Sequence, residues 1–297
     1  MLKTQLVVFG VIALASATPL DHFNLHARQN ASGGGAAATG SVAGSNLILS
    51  SKVTGAIAKT NVDLAAGKTA AENPDTYTFF KGDGSAAQGW PTEDEWINFN
   101  DMFTRNNAAM GKGCPGGVTE NTAAENEDIR VSIIAVASAA AVDPRFVLAA
   151  VMQESNGCVR VQGTPSGEAG VFNPGIMQSF RGTGTCNVGN SNQLSPCPPE
   201  TITQMIVDGV QGVNVDGQVQ AGLVQQLTAA GGDPSGQNTY RGARGYNSGA
   251  ISGALENAGQ CGPPRTFGVP CYSSDIANRL KGWVSAPTQC NLQPQTC

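Results

Sequence analysis

Asp143-Pro144-Arg145-Phe146-Val147-Leu148-Ala149-Ala150-Val151-Met152-Gln153-Glu154-Ser155-Asn156-Gly157 is the stretch on which the reading of the fold turns. It has the parts of one complete helix. Asp143 is a residue that caps free N–H groups, and Pro144 follows at the first helical position, where a missing N–H costs nothing. Gly157 is placed to end the helix. Between them, Phe146, Val147, Leu148, Ala150, Val151 and Met152 leave almost no polar face. A helix that is apolar nearly all round belongs in the interior of its domain.

The segments around it extend the same reading. Residues 125–142 carry Ile129, Ile133, Val136, Ala137 and Ala140 at helical spacing. Glu125, Glu127 and Asp128 stand in the first turns of that helix, where negative charge suits the dipole. Further helices are predicted over 199–211, 217–230, 237–246 and 274–284. Residues 156–198 carry Pro165, Gly167, Gly170, Pro174, Gly182 and Gly184, which predicts loops or a short hairpin. Upstream, a helix is predicted over 91–106, with Pro91 near its first turn. Trp96, Phe99, Met102 and Phe103 would form one face of it, packed on the main domain. The fold class is mainly α, with a small loop or hairpin region.

Composition narrows the setting. Only 13% of the 297 residues are charged, against roughly a quarter in an average soluble domain. The formal net charge is -5, and no run of Lys or Arg occurs, so a nucleic-acid role is not expected. Lys3, then an apolar stretch over 6–14, then Ala15-Ser16-Ala17, form the three-part layout of a secretory signal over 1–17. The apolar stretch is short of the roughly 20 residues that span a bilayer. An extracellular, monomeric chain beginning near Thr18, with no membrane contact in its mature form, is the expectation. Residues 18–45 read as a low-complexity tail or propeptide, with a sequon at Asn30. Residues 46–113 read as an N-terminal extension, and 114–297 as the main domain.

Eight cysteines in a signal-bearing chain predict disulfides, with the pairing left open among about 105 arrangements. There is no CxxC pair, and both histidines, His22 and His26, lie in the tail, so neither a metal nor another cofactor is expected.

Glu154 is the residue with the clearest chemical promise. A carboxyl at the C-terminal end of a buried helix is disfavoured as an anion by desolvation and by the negative helix end. Both raise its pKa. A carboxylic acid still protonated near neutrality suits the protonation of a glycosidic leaving oxygen. A solvated Glu at a helix end is the bland alternative, and two later segments bear on the choice. They are Gly175-Ile176-Met177-Gln178-Ser179 and Arg244-Gly245-Tyr246-Asn247-Ser248-Gly249.

Together with Gln153-Glu154-Ser155-Asn156-Gly157, these resemble the three ordered motifs of the soluble lytic transglycosylase and goose-type lysozyme superfamily, glycoside hydrolase family 23. The family pattern is Glu-Ser, then Gly-Leu-Met-Gln, then Ala-Tyr-Asn-x-Gly. Ile176 stands for Leu and Gly245 for Ala. The likeness covers about residues 125–284 and is similar to a secreted fungal group with a Trp-bearing helix upstream. It implies a lysozyme-like α+β domain that cleaves β-1,4 bonds of peptidoglycan between N-acetylmuramic acid and N-acetylglucosamine. Chitin is the alternative substrate, and a non-catalytic glycan-binding or effector protein the alternative class.

By the same resemblance Glu154 is the general acid/base, and Ser155 orients it or the substrate acetamido group. Gly175, Ile176, Met177 and Gln178 line the sugar groove. The Tyr246 hydroxyl supports the catalytic Glu, and Asn247 contacts substrate. Each has a structural alternative: Met177 as core, Gln178 as a backbone cap, Tyr246 as packing. Glu168 is the candidate second carboxylate. Inverting enzymes hold acid and base roughly 6.5–9.5 Å apart with water between. Transglycosylases need no second acid, because the substrate's own C6 hydroxyl displaces the bond. Glu168 as a solvated loop residue stands equally beside its catalytic reading.

Overall fold

The helix opened by Asp143 runs over Pro144–Ser155, as its sequence predicts. It is α3 of seven α-helices among the described residues: α1 Phe99–Asn107, α2 Ala123–Ala140, α3 Pro144–Ser155, α4 Pro199–Gln211, α5 Leu223–Ala230, α6 Gly236–Ser248 and α7 Tyr272–Leu280. The computed structural model describes residues 53, 58–59, 62–166, 168, 170–220, 222–231, 236–248 and 271–289. The predicted signal, the tail with Asn30, His22 and His26, and Cys261, Cys290 and Cys297 lie outside them.

The Asp143 carboxylate accepts from the Arg145 N–H at 2.9 Å, closing the N-terminus of α3. Asn156, not Gly157, is its C-cap, with φ 54°, and Gly157 follows at φ 69°. Gly is needed at 157 for a second reason: a Cβ there would lie 2.6 Å from Met110 Cγ. Phe146 through Val151 are all 0–1% exposed. Such burial is available because α3 is flanked by α1, α2 and α7. Around this centre α2 packs on α4, α5 on α6, and α6 on α7. The architecture is mainly α with small sheets.

The strands form three two-residue antiparallel pairs: β1 Thr164–Pro165 with β2 Phe172–Asn173, β3 Asn187–Val188 with β4 Asn192–Gln193, and β5 Asn214–Val215 with β6 Gln218–Val219. The first two lie in the Gly- and Pro-rich region where loops or a hairpin were predicted. The third corrects the helix predicted over 217–230. Asp216 and Gly217 both take positive φ, 51° and 80°, and Asp-Gly is a strong two-residue hairpin signal. Only Leu223–Ala230 is helical there.

A second correction concerns 91–106. A 3-10 turn at Glu93–Glu95 is followed by extended residues, and α1 starts only at Phe99. Ile97 bridges to Lys68 and donates its N–H to the Leu280 carbonyl at 2.8 Å. Asn98 then caps α1, accepting from the Asp101 N–H at 2.9 Å. Tertiary pairing and a better cap override the helical periodicity. The aromatic residues nevertheless face inward. Trp96, Phe99, Met102 and Phe103 are buried in the same core as α2–α7. Trp96 Nε1 donates to the Tyr240 hydroxyl at 2.8 Å, and that hydroxyl donates to the Pro91 carbonyl at 2.7 Å.

Disulfides join Cys114 to Cys158 and Cys186 to Cys197. Cys271 is also disulfide-bonded. The first bond anchors the chain just after α3, and the second closes the β3–β4 segment. Between them Arg160 and Glu125, 0% and 1% exposed, form a buried ion pair. Arg160 also donates to the Leu194 carbonyl, and Glu125 accepts from the Cys197 N–H, both at 2.7 Å. Burial alone would raise Glu125, but the N–H groups of Thr122 and Cys197 and the Arg160 guanidinium hold it below the usual carboxylate range. Among the described residues, no helix is long and apolar enough to cross a membrane.

Candidate active site

At the C-terminal end of α3, segments far apart in sequence meet through backbone carbonyls. Ser155 is buried, and its hydroxyl donates to the Ile176 carbonyl at 2.7 Å. The Tyr246 hydroxyl, from α6, donates to the Met177 carbonyl at 2.7 Å. The turn between is tight: Gln178 N–H donates to the Gly175 carbonyl and Ser179 N–H to the Pro174 carbonyl. Gly175 takes φ 76°, and a Cβ there would sit 2.7 Å from the Gly184 carbonyl and 2.9 Å from Met205 Cγ. A glycine is required both by backbone angle and by crowding.

Glu154 lies beside this turn, one residue before Ser155. Its Oε1 accepts from the Tyr272 hydroxyl at 2.5 Å. The side chain is half-buried overall, but its carboxyl is surrounded by protein, and burial pushes its pKa from 4.5 up to about 7, against the opposing pull of the Tyr272 bond. Tyr272 is itself driven well above its ordinary range, first by burial and then by the Glu154 charge. It therefore keeps its proton and can donate it to the Glu154 carboxylate. Tyr246 is raised for the same two reasons in the same order, which places its hydroxyl within electrostatic reach of Glu154.

Several side chains take other roles than the family resemblance implies, and for Met177 and Gln178 these are the structural alternatives that the sequence offered. The Glu154 hydrogen bond expected of Tyr246 comes from Tyr272 instead. Tyr272 falls just outside the helix predicted over 274–284, which in the fold spans Tyr272–Leu280. The usable signal was a tyrosine opening the last apolar helix, because a buried tyrosine hydroxyl needs a partner. Ile176 and Met177 are fully buried, so their side chains belong to the core rather than to an open groove. Met177 packs over Gly209 of α4, where a Cβ would fall 2.4 Å from its sulfur. Gln178 is a backbone clamp: its Oε1 accepts from Thr164 N–H at 3.1 Å, and its Nε2 donates to the Gln162 and Gly175 carbonyls. Ser155 is engaged with backbone and not directed at a ligand. Asn247 lies on α6 beside Tyr246.

Glu168 lies between β1 and β2, exposed, in an ion pair with Arg181. It is not a desolvated group. The buried carboxylates near the site are occupied. Asp208 accepts from Thr183 N–H at 2.6 Å, Gly184 N–H at 2.8 Å and Gln204 Nε2 at 2.7 Å. Asp275 accepts from the Tyr77 hydroxyl at 2.7 Å and from Gln153 Nε2 at 3.1 Å. Burial raises both. Among the described residues no group of three His, Cys, Asp or Glu could hold a metal ion.

A cavity of about 320 Å³ lies at the other end of α3, lined by Lys59, Asp63, Asp143 and Arg145 among others. The ten steps of helix from Pro144 to Glu154 put roughly 15 Å between it and the raised carboxyl. Its cations are already paired, Lys59 with Glu93 and Arg145 with Asp143. Size alone does not outweigh the chemistry at Glu154. Comparison with protein-family models, with curated proteins and with solved structures finds no match for this chain.

Proposed function

We infer that this chain is a secreted, lysozyme-like glycosidase that cleaves β-1,4 bonds of peptidoglycan, with Glu154 as the single general acid and base. One observation carries the reading. A carboxyl ionising near pH 7, held by a neutral tyrosine, lies beside the turn that two other motif segments bind. A general acid works best when its pKa lies near the working pH, so that it is both protonated and able to release its proton.

In this mechanism the Glu154 proton passes to the glycosidic oxygen as the C1–O bond breaks, assisted by the neighbouring acetamido group. The resulting carboxylate then takes the proton of the substrate C6 hydroxyl as its oxygen closes on C1. The product is a 1,6-anhydro sugar, and Glu154 regains its proton. The Tyr272 hydroxyl stabilises the carboxylate between the two steps. The exposed ion pair of Glu168 with Arg181 favours this one-carboxylate course over water-mediated inversion.

The test is release of soluble fragments from purified bacterial cell walls, with mass spectrometry of the products. Anhydro-muropeptides are expected, and Glu154→Gln should abolish their release without unfolding the chain. Turnover retained in that variant would remove the assignment. Chitooligomers as the preferred product would move the activity to chitin.

A further inference from the structure

The β1–β2 hairpin carries an apolar pair that the core does not use. Phe172 is 48% exposed, and Val188 and Val219 are the other large exposed hydrophobics among the described residues. Phe172 is directly opposite Pro165 in the hairpin register, and Pro165 is exposed too. Residues directly opposite in an antiparallel pair project to the same face. The ring and the pyrrolidine therefore stand side by side, open to solvent.

The position of this pair is set by the site. Gln178 accepts from the N–H of Thr164, next to Pro165, and donates to the Gln162 carbonyl, so the base of the hairpin is clamped to the 174–179 turn. Phe172 is four positions before Ile176, whose carbonyl binds Ser155 beside Glu154, and that chain spans at most about 14 Å. Asn190 adds a second clamp: its Oδ1 accepts from Gly163 N–H at 2.7 Å, and its Nδ2 donates to the Gly163 carbonyl at 3.0 Å. The hairpin is thus a braced edge of the site. On the strands the pair alternates with the uncharged Thr164 and Asn173, and the one charged residue of the connecting loop, Glu168, is neutralised by Arg181.

We propose that Phe172, with Pro165 beside it, is a sugar-stacking subsite that binds an N-acetylated pyranose ring of the glycan strand a few units from the bond Glu154 cleaves. The proposal rests on the glycosidase reading above. A pyranose presents a C–H face with polar edges. An exposed aromatic ring with a pyrrolidine beside it matches that C–H face, and the continuity of the hairpin with the catalytic turn identifies the occupant as the substrate strand. Burying the free half of the ring recovers apolar contact that the folded chain leaves unmet.

Binding is measured by calorimetry in the full chain carrying Glu154→Gln, so that affinity is read without turnover. The probes are peptide-free strands of alternating N-acetylglucosamine and N-acetylmuramic acid, and chitohexaose. Adding Phe172→Ala is expected to weaken binding of the preferred probe by about tenfold, a loss of about 1.4 kcal/mol. Phe172→Trp should retain the affinity, and circular dichroism of Phe172→Ala should show the native fold with a melting temperature lowered by no more than a few degrees, since half of the side chain is already exposed. In the active chain the same Ala variant should raise KM on long strands and leave kcat nearly unaltered. Equal affinity with and without the Phe172 ring overturns the subsite while leaving Glu154 untouched. Sedimentation that shows a dimer dissociated by Phe172→Ala assigns the patch to a second copy and also overturns it. Failure of the Glu154→Gln chain to bind either probe, with the active chain inert, overturns the glycosidase reading itself.

Discussion

Replacing Glu154 by Gln should make the folded chain more stable at alkaline pH and leave it unchanged at acid pH. The parent carboxyl ionises at 4.5 in the open chain and at about 7 in the fold. Below pH 4.5 it is protonated in both states and has no effect on the balance. Between 4.5 and 7 the folded state holds more protons than the unfolded state, so parent stability falls as pH rises. Above about 7 the full cost is present. At about 1.4 kcal/mol per pH unit the displacement corresponds to an upper limit of about 3 kcal/mol. Because part of the side chain meets solvent, about 2 kcal/mol is the expected value. Gln has no charge to desolvate, and its amide oxygen can still accept from Tyr272. Urea or thermal unfolding of both proteins at pH 4 and pH 8 measures the difference. About 2 kcal/mol corresponds to about 5 °C in a domain of this size. A variant no more stable than the parent at pH 8, or one stabilised equally at pH 4, would show that the carboxyl is not desolvated and would remove the basis for its role.

Other expectations follow from neighbouring contacts. Tyr272→Phe removes a donor that favours the ionised carboxylate, so the alkaline limb of the kcat/KM profile should move to higher pH, with activity reduced about tenfold or more. Glu168→Gln should retain activity within about threefold, because an exposed ion pair contributes under about 1 kcal/mol; loss of turnover on peptidoglycan would restore Glu168 as a base. Gly209→Ala should destabilise the chain by about 1–3 kcal/mol in urea unfolding and lower activity, despite the better helix propensity of Ala. The new methyl would strike Met177 and shift the turn that carries the Ser155 and Tyr246 bonds.

Much of the molecule was readable as sequence because the signals were local. Asp143-Pro144 and the apolar run after them specify α3, and α4 follows its pattern over the same residues as predicted. Those forces act within a few turns of chain. The 91–106 segment misled because Ile97 and Asn98 found partners far away, at Leu280 and Lys68, that outcompete local periodicity. The 217–230 segment misled for the opposite reason: a local signal, Asp216-Gly217, was stronger than the apolar spacing laid over it.

At the site the same boundary holds. The sequence alone marks Glu154 as an acid at the end of a sheltered helix, because burial and helix polarity are both encoded within α3. Which tyrosine reaches it, whether Met177 faces a groove or α4, and what Glu168 pairs with are decided by packing between elements. The Tyr272–Glu154 bond joins residues 118 positions apart and exists only because α7 lies against α3. A hydrogen bond or an ion pair depends on distances of a few tenths of an ångström, and only the assembled core sets distances that fine.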